Sequence, residues 1–336
     1  MCQFEIMRGL LNLVPIPGDY VPEGIYRSAF QPKVFINRGG LMWKAVRERF
    51  RRFHVDLNVT QSQIDDGVTK AINVGKALER AYTGTASDTP PVFFVGSWGK
   101  GTQLRPSADI DIMANFDWSV YQRFEQRANN KQSQLLQEIR ESLAGPYPQT
   151  EIRADGQVVV IGFNTITVEL VPVFRYPNGQ FLMPDSNNGG RWKIVDPFAQ
   201  IALVERVDAK ANGNLRALTK MVKLWNREKR TSLKSFVLEL LVAEFMDGYV
   251  WATRDYFWYD YFVRDFFQFL RAKSGTYLTI PGTGEAYYVG TDWATRVDTA
   301  IENALRACYW EYHDYDVTAG QEWQKIFGPR IPIYTA

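Results

Sequence analysis

The sharpest change of pattern along the chain falls between Pro90 and Asp117. "PPVFFVG" is a short apolar run behind two prolines, "GSWGKGT" is dominated by small residues, and "ADIDIMANF" alternates polar and apolar positions with a period of two. These patterns predict a strand, a glycine-rich turn and a second strand. Upstream, from Leu41 to about Tyr82, apolar residues recur at helical spacing; Thr60 or Ser62 is placed to cap a long helix and Gly84 to stop it. Downstream, "QRFEQRANNKQSQLLQEIRESLAG" predicts one polar, amphipathic surface helix ended by Gly145. "GQVVVIGFNTITVELVPVF" then predicts two more strands with a bend near Gly162 to Thr165.

After "RYPNGQFLMPDSNNGG", which reads as a loop, the pattern turns to long helical stretches: "DPFAQIALVERVDAKA", "NLRALTKMVKLWNREK", "SLKSFVLELLVAEFMDG" and "YFVRDFFQFLRAKSG". The expected organisation is an irregular Pro- and Gly-rich extension over 1–50, an α/β core over 51–190 and a helical lobe over 191–336. No internal repeat interrupts it.

Composition narrows the chemistry. At 336 residues and 46% hydrophobic, the chain can bury a large core. No stretch reaches the roughly 18 uninterrupted apolar residues a membrane span needs, and the N-terminus lacks an export-signal pattern, so a cytoplasmic protein without membrane contact is expected. Thirty-nine Lys and Arg against thirty-seven Asp and Glu leave a charge of +2, which predicts no surface for holding long nucleic acid. Two cysteines, Cys2 and Cys308, are too few for a disulfide framework and are expected as plain thiols. With His54 and His313 as the only histidines, catalysis must rest on carboxylates, hydroxyls, lysines or metal.

Alternate residues of a strand share a face, so Asp109 and Asp111 point one way while Ile110 and Ile112 point into the core. Two like charges held together demand a cation or a raised pKa, and magnesium with its preference for oxygen is the usual answer. An exposed edge strand with solvated aspartates would show the same pattern. Small residues directly after a strand, as in "GSWGKGT", let backbone N–H groups of Gly96 and Ser97 approach phosphate oxygens, although glycine also serves ordinary tight turns. The segment is no Walker motif, because Thr102 and Gln103 stand where the Lys-Ser/Thr pair belongs. Glu169 interrupts the apolar "TITVELVPVF" and needs a partner or a metal. Three carboxylates on neighbouring strands can hold two metal ions for nucleotidyl transfer.

On the later helices, Leu215, Leu218, Val222 and Trp225 form an apolar stripe. At 3.6 residues per turn Lys223 lies about 120° round from it and Lys220 about opposite, so Lys223 is the better placed of the two for a cleft wall, although the helix taken alone reads as carrying two solvated flank lysines. Ser235 is placed at a helix start, where it could satisfy its own backbone or face phosphate. Trp192 suits either base stacking or an apolar interface, and the aromatic run from Tyr249 to Phe269 suits core or a partner surface.

An apolar residue, Gly96-Ser97, eleven residues, Asp109-Ile-Asp111 and a later strand carboxylate together resemble the polymerase-β-like nucleotidyltransferase superfamily. The ordered set "GSWGKGT…SADIDI", "VELVPVF", "RWKIVDP", "LTKMVKLWN" and "LKSFVLELL" resembles more specifically the CD-NTases, the cGAS/DncV-like enzymes that make cyclic oligonucleotide signals in bacterial anti-phage (CBASS) defence. The likeness covers roughly 60–330. It implies an α+β fold, with a mixed-sheet core joined to a helical lobe across a central cleft. It further implies Asp109, Asp111 and Glu169 as ligands of two Mg2+ ions, for which Mn2+ can substitute, with Glu standing where the family often has Asp. Gly96 and Ser97 match the donor triphosphate loop, and Lys223 and Ser235 match helical contacts to that triphosphate. The implied substrates are nucleoside triphosphates, ATP or GTP, and the implied product is a cyclic di- or trinucleotide. CBASS accessory proteins at the C-terminus, with its exposed-looking "IPIYTA", are the implied partners. A linear-oligonucleotide or tRNA-end nucleotidyltransferase would share the three acids, and a non-catalytic nucleotide-binding module would share the fold.

Overall fold

A computed structural model describes residues 43–335. The expected extension lies almost wholly outside the described residues, as does Cys2. Where the description begins, the helical pattern breaks into two helices: α1 (Val46–Leu57) and α2 (Gln61–Thr83). The break falls at Thr60, which caps α2 in a reciprocal capping box with Gln63, and Gly84 in a left-handed conformation ends that helix. α1 buries Val46, Phe50, Phe53 and Leu57 in the helical lobe. The expected irregular region up to residue 50 and the core starting at 51 are therefore corrected: α1 belongs with the C-terminal helices, and the core begins with α2.

The core is a seven-stranded sheet built from β1 (Val92–Phe94), β2 (Asp109–Asn115), β3 (Glu151–Asp155), β4 (Val158–Gly162), β5 (Thr167–Arg175), β6 (Phe181–Asp185) and β7 (Arg191–Val195). Its main order is β1-β2-β5-β4-β3, and β6 and β7 extend it from the far end of β5. β2 and β5 run parallel, while every other neighbouring pair is antiparallel. The sheet is thus mixed, as expected. The supposed loop 176–190 contains β6, all five residues of which are buried. A strand covered on both faces shows no alternation, so the period-two signal was absent. Since β7 pairs with β6, the sheet runs to Val195 and the helical lobe starts at 197, six residues later than expected.

The segment between Phe94 and Asp109 is not the simple turn expected. "GSWGK" forms a short helix, α3 (Gly96–Lys100). The single surface helix expected over 122–145 is two, α4 (Trp118–Glu125) and α5 (Lys131–Ala144), with Asn130 capping the second by accepting from Ser133 N. α2 and α5 cover one face of the sheet, where Ala71, Val74, Leu135 and Ile139 pack on Ile110, Ile112, Val168 and Leu170.

The helical lobe comprises α6 (Pro197–Lys210), α7 (Asn214–Glu228), α8 (Ser235–Gly248), α9 (Tyr259–Ala272), α10 (Ala294–Tyr312) and α11 (Asp316–Phe327), with a hairpin of β8 (Tyr277–Thr279) and β9 (Ala286–Tyr288). Asp196 caps α6 and Pro197 opens it, a start signal read directly from "VDP". Trp225, Tyr259, Phe262, Phe266, Trp293 and Trp323 fill the lobe's interior. The aromatic run is therefore core along α9.

Candidate active site

The face of the sheet opposite α2 carries the acids. Along β2, Ile110 and Ile112 are fully buried, Asp109 is exposed and Asp111 half-buried, the alternation a strand requires. Within the parallel pair, Asp111 lies opposite Glu169 and Asp109 opposite Thr167. Paired strands run about 4.8 Å apart, and residues two apart on one strand are separated by about 7 Å. All three carboxylates therefore share one small patch at the entry of β2 and β5. Farther along that face, Met113 and Val173 join Val95, Phe181 and Met183 in a small apolar cluster, so the acids form one polar end of an otherwise dry surface.

Burial raises the pKa of Asp111, and the neighbouring Asp109 raises it further, against the pull of Lys100 and Lys223. Glu169 is raised by burial and then by Asp111 and Asp109. Neighbouring like charges partly withdrawn from water are suited to a divalent cation. Among the described residues, no three Asp, Glu, His or Cys side chains are already closed around a metal position; the acids share a face without converging into a cage. The donor set is nevertheless all oxygen, which fits magnesium or manganese.

α3 brings the glycine loop onto this patch. Val95 N donates to Asp111 O at 3.0 Å, which lays the start of α3 over the middle of β2. Gly96 has φ +54°, and a Cβ there would lie 1.8 Å from Asp111 Oδ2. Glycine is required twice, by conformation and by space. Trp98 anchors the other side of α3: its indole N–H lies 2.9 Å from Asp109 O and 3.1 Å from Ser107 Oγ. Ser97 is half-buried, and its carbonyl accepts from Thr102 N at 2.9 Å.

The C-terminal end of α3 meets the helical lobe. Lys223 is no flank residue; its ammonium donates to Glu239 Oε1 at 2.9 Å and to Thr102 O at 3.2 Å. Lys220 is not solvated either, being 8% exposed and 2.6 Å from Asn58 Oδ1. The helical wheel set Lys220 opposite the apolar stripe, but α7 is buried nearly all round and Lys220 is buried with the rest. Ser235 is exposed at the first turn of α8, where the capping position belongs to Lys234 and no side chain caps. Trp192 donates to Glu125 Oε1 at 2.7 Å and packs edge-on to Tyr121 and Phe174, an interface role rather than a free stacking platform.

Sequence reasoning missed Lys100, Thr102, Arg216 and Glu239, which knit α3 to the lobe. Glu239 was detectable: it breaks the apolar run "SFVLELLVAEF" as Glu169 breaks its strand, and a lone acid in such a run needs partners.

A mixed sheet with acids on its parallel pair, faced by a glycine-opened helix and backed by a helical lobe, is the architecture of a nucleotidyltransferase. Residues 45–207 match the model of the Second Messenger Oligonucleotide or Dinucleotide Synthetase (SMODS) domain. A cyclic AMP-AMP-AMP synthase of Acinetobacter sp. is 26% identical over 168 residues, covering 47% of this chain and 46% of that protein. A CBASS oligonucleotide cyclase, CdnC, of Escherichia coli is 29% identical over 159 residues, covering 45% and 49%. The chain thus matches about half the length of these two relatives. The structure of E. coli CdnC with ATP superposes with a TM-score of 0.62 at 18% identity, over 85% of this chain and 98% of that one. Residues 45–207 thus carry a likeness to a second-messenger synthetase domain, and the relatives and solved structures that the chain resembles are CD-NTases.

Proposed function

We propose that the protein is a magnesium-dependent nucleotidyltransferase that condenses nucleoside triphosphates, ATP or GTP, into a cyclic di- or trinucleotide with release of pyrophosphate, as a signal in anti-phage defence. The observation that carries this reading is the placement of Asp111 opposite Glu169, with Asp109 one pleat away, beneath Gly96. The names of the relatives, a cyclic trinucleotide synthase and a CBASS cyclase, support the product class.

In each condensation a ribose hydroxyl of the acceptor attacks the α-phosphorus of the donor, and the bond to the pyrophosphate oxygen breaks. Asp109 and Asp111 would hold both cations and Glu169 would complete the site beside the attacking hydroxyl. The cations would supply charge neutralisation on the phosphates and a lowered pKa for that hydroxyl. The chain's own part is placement: β2 and β5 fix the acids in register, Gly96 lets the triphosphate backbone approach them, and Ser97, Lys223 and Ser235 would receive its oxygens. In such chemistry positioning and electrostatics account for most of the acceleration.

Radiolabelled NTPs incubated with Mg2+ and then with phosphatase test the reading. A phosphatase-resistant product, absent for Asp109→Asn combined with Asp111→Asn, is expected. A product that phosphatase degrades would identify a linear-oligonucleotide enzyme, and no turnover at all would identify a non-catalytic module. A C-terminal accessory protein belongs to the same proposal and is tested by mass spectrometry of the tail from native lysate.

A further inference from the structure

A buried charge cluster at the seam between core and helical lobe lies outside the metal site. Its hub is Glu239 of α8, 2% exposed. One carboxylate oxygen accepts from Lys100 Nζ at 2.5 Å; the other accepts from Thr102 Oγ1 at 2.5 Å and from Lys223 Nζ at 2.9 Å. Lys100 and Thr102 belong to the core and are themselves buried, whereas Lys223 belongs to α7. Arg216, also on α7, adds a bond from Nε to Lys100 O at 2.8 Å while Asp208 holds its guanidinium at 2.7 Å. Three lobe side chains on two helices thus act on the residues that end the short helix begun by Gly96 and Ser97, and Asp208 of α6 holds one of the three.

We propose that Glu239 is a positioning residue for the donor triphosphate: it fixes α3 and Lys223 relative to each other, so that the Gly96-Ser97 end and the lysine address the same phosphates. The role rests on the functional reading above. Three features separate it from a general stabilising ion pair. The contacts converge on residues 100–102 rather than on the body of either lobe. The cluster lies close enough to Asp111 for Lys100, Glu239 and Lys223 all to act on its carboxylate. Two lysines share one acid, so the carboxylate restrains both cations without cancelling the positive charge a triphosphate needs. Burial opposes the ionised carboxylate, yet the lysines outweigh burial and keep its pKa below the ordinary range.

Glu239→Gln preserves size and one acceptor while releasing the lysines. Hydrogen exchange is read on the protein without nucleotide, at the amides of Gly99, Gly101 and Thr102, which bond to Val95 O, Trp98 O and Ser97 O. Their exchange is expected to accelerate at least tenfold, with β2 and β5 amides unchanged. In turnover, kcat is expected to fall at least tenfold while the Kd for a nonhydrolysable NTP with Mg2+ changes less than threefold, since lost order is offset by released positive charge. Val242→Ala, in the lobe core on the same helix, serves as a control for lost stability: it lowers the melting temperature but leaves kcat and the α3 amides unchanged. An active wild type whose Glu239→Gln variant keeps its kcat or its α3 protection overturns this proposal alone. A wild type that turns over no NTP overturns the functional reading and this role with it.

Discussion

Gly96 and Asp111 compete for one space: a methyl group on the glycine would sit 1.8 Å from Oδ2 of the aspartate. Gly96→Ala must therefore displace either the start of α3 or the carboxylate, and it also forces a left-handed conformation on a residue with a Cβ. The conformational part costs about 1–2 kcal/mol. The catalytic part is larger, because a displacement near 1 Å at a phosphoryl-transfer site costs about 100-fold in rate. The expected outcome is a folded variant with product formation reduced about 100-fold, measured by radiolabelled NTP turnover beside a thermal melt. Wild-type turnover in this variant would remove the glycine from the phosphate site.

Asp111 behaves oppositely in stability and in activity. Its folded-state pKa is raised, by burial first and Asp109 second. A raised carboxylate binds its proton more tightly in the folded state, so its contribution is favourable at low pH and is lost as pH rises through the carboxylate range. At pH 7 Asp111→Asn is therefore expected to melt no lower than wild type while forming no product. Mg2+ with a nonhydrolysable NTP is expected to stabilise the wild type, by about 2.7 kcal/mol at a hundred times Kd, and to do little for the double Asp109→Asn, Asp111→Asn variant. Differential scanning fluorimetry with and without the ligands reads both.

Much of this site was legible because its geometry is local. Asp109, Asp111 and Glu169 lie on strands whose period of two is written in "ADIDIM" and "TVELV", and a carboxylate in an apolar strand announces itself by cost. Gly96 was legible as a small residue after a strand, but not as the neighbour of Asp111, because the bonds from Val95 N to Asp111 O and from the Trp98 indole to Asp109 O, which bring α3 against β2, are written in no local pattern. β6 was hidden by burial on both faces. The packing of α1 with the C-terminal helices was hidden by distance in the chain: Phe50 meets Trp323, 273 residues away, and no pattern within either helix records that contact. Lys223 shows the same limit in miniature, since a helical wheel gives its direction but not the Glu239 that meets it.

His54 supplies a pH prediction away from the site. Its Nδ1 lies 2.7 Å from Tyr256 Oη, and burial, followed by nearby Lys220, pushes its pKa down to about 4. A lowered histidine stays neutral in the folded state while the unfolded chain takes up a proton, so stability is lost as pH falls from about 6.5 to 4. The contribution reaches on the order of 3 kcal/mol at the acid end. Two-dimensional NMR is expected to show the His54 imidazole neutral at pH 5, and His54→Gln is expected to flatten the fall in melting temperature across that window. A midpoint near 6.5 would contradict it.

The C-terminal tail looked exposed in the sequence, yet its backbone is clamped. Arg49, fully buried on α1, donates from Nε to Glu311 Oε1 at 2.8 Å and from Nη2 to Asp316 O at 2.9 Å. Its Nη1 donates to the carbonyls of Ile333, at 2.7 Å, and Pro332. Thr335 N adds a bond to Asp316 Oδ2 at 3.2 Å, whereas the Tyr334 side chain is 60% exposed. Truncation after Ile331 takes both carbonyls from one nitrogen of a buried cation, a loss of about 1–3 kcal/mol. Because the acceptors are backbone atoms, Tyr334→Ala is expected to leave stability unchanged, and so is an extension fused beyond Ala336. Thermal melts of the three variants decide the matter: a truncated chain as stable as wild type would show that Arg49 finds equivalent acceptors in water and that the tail is not held.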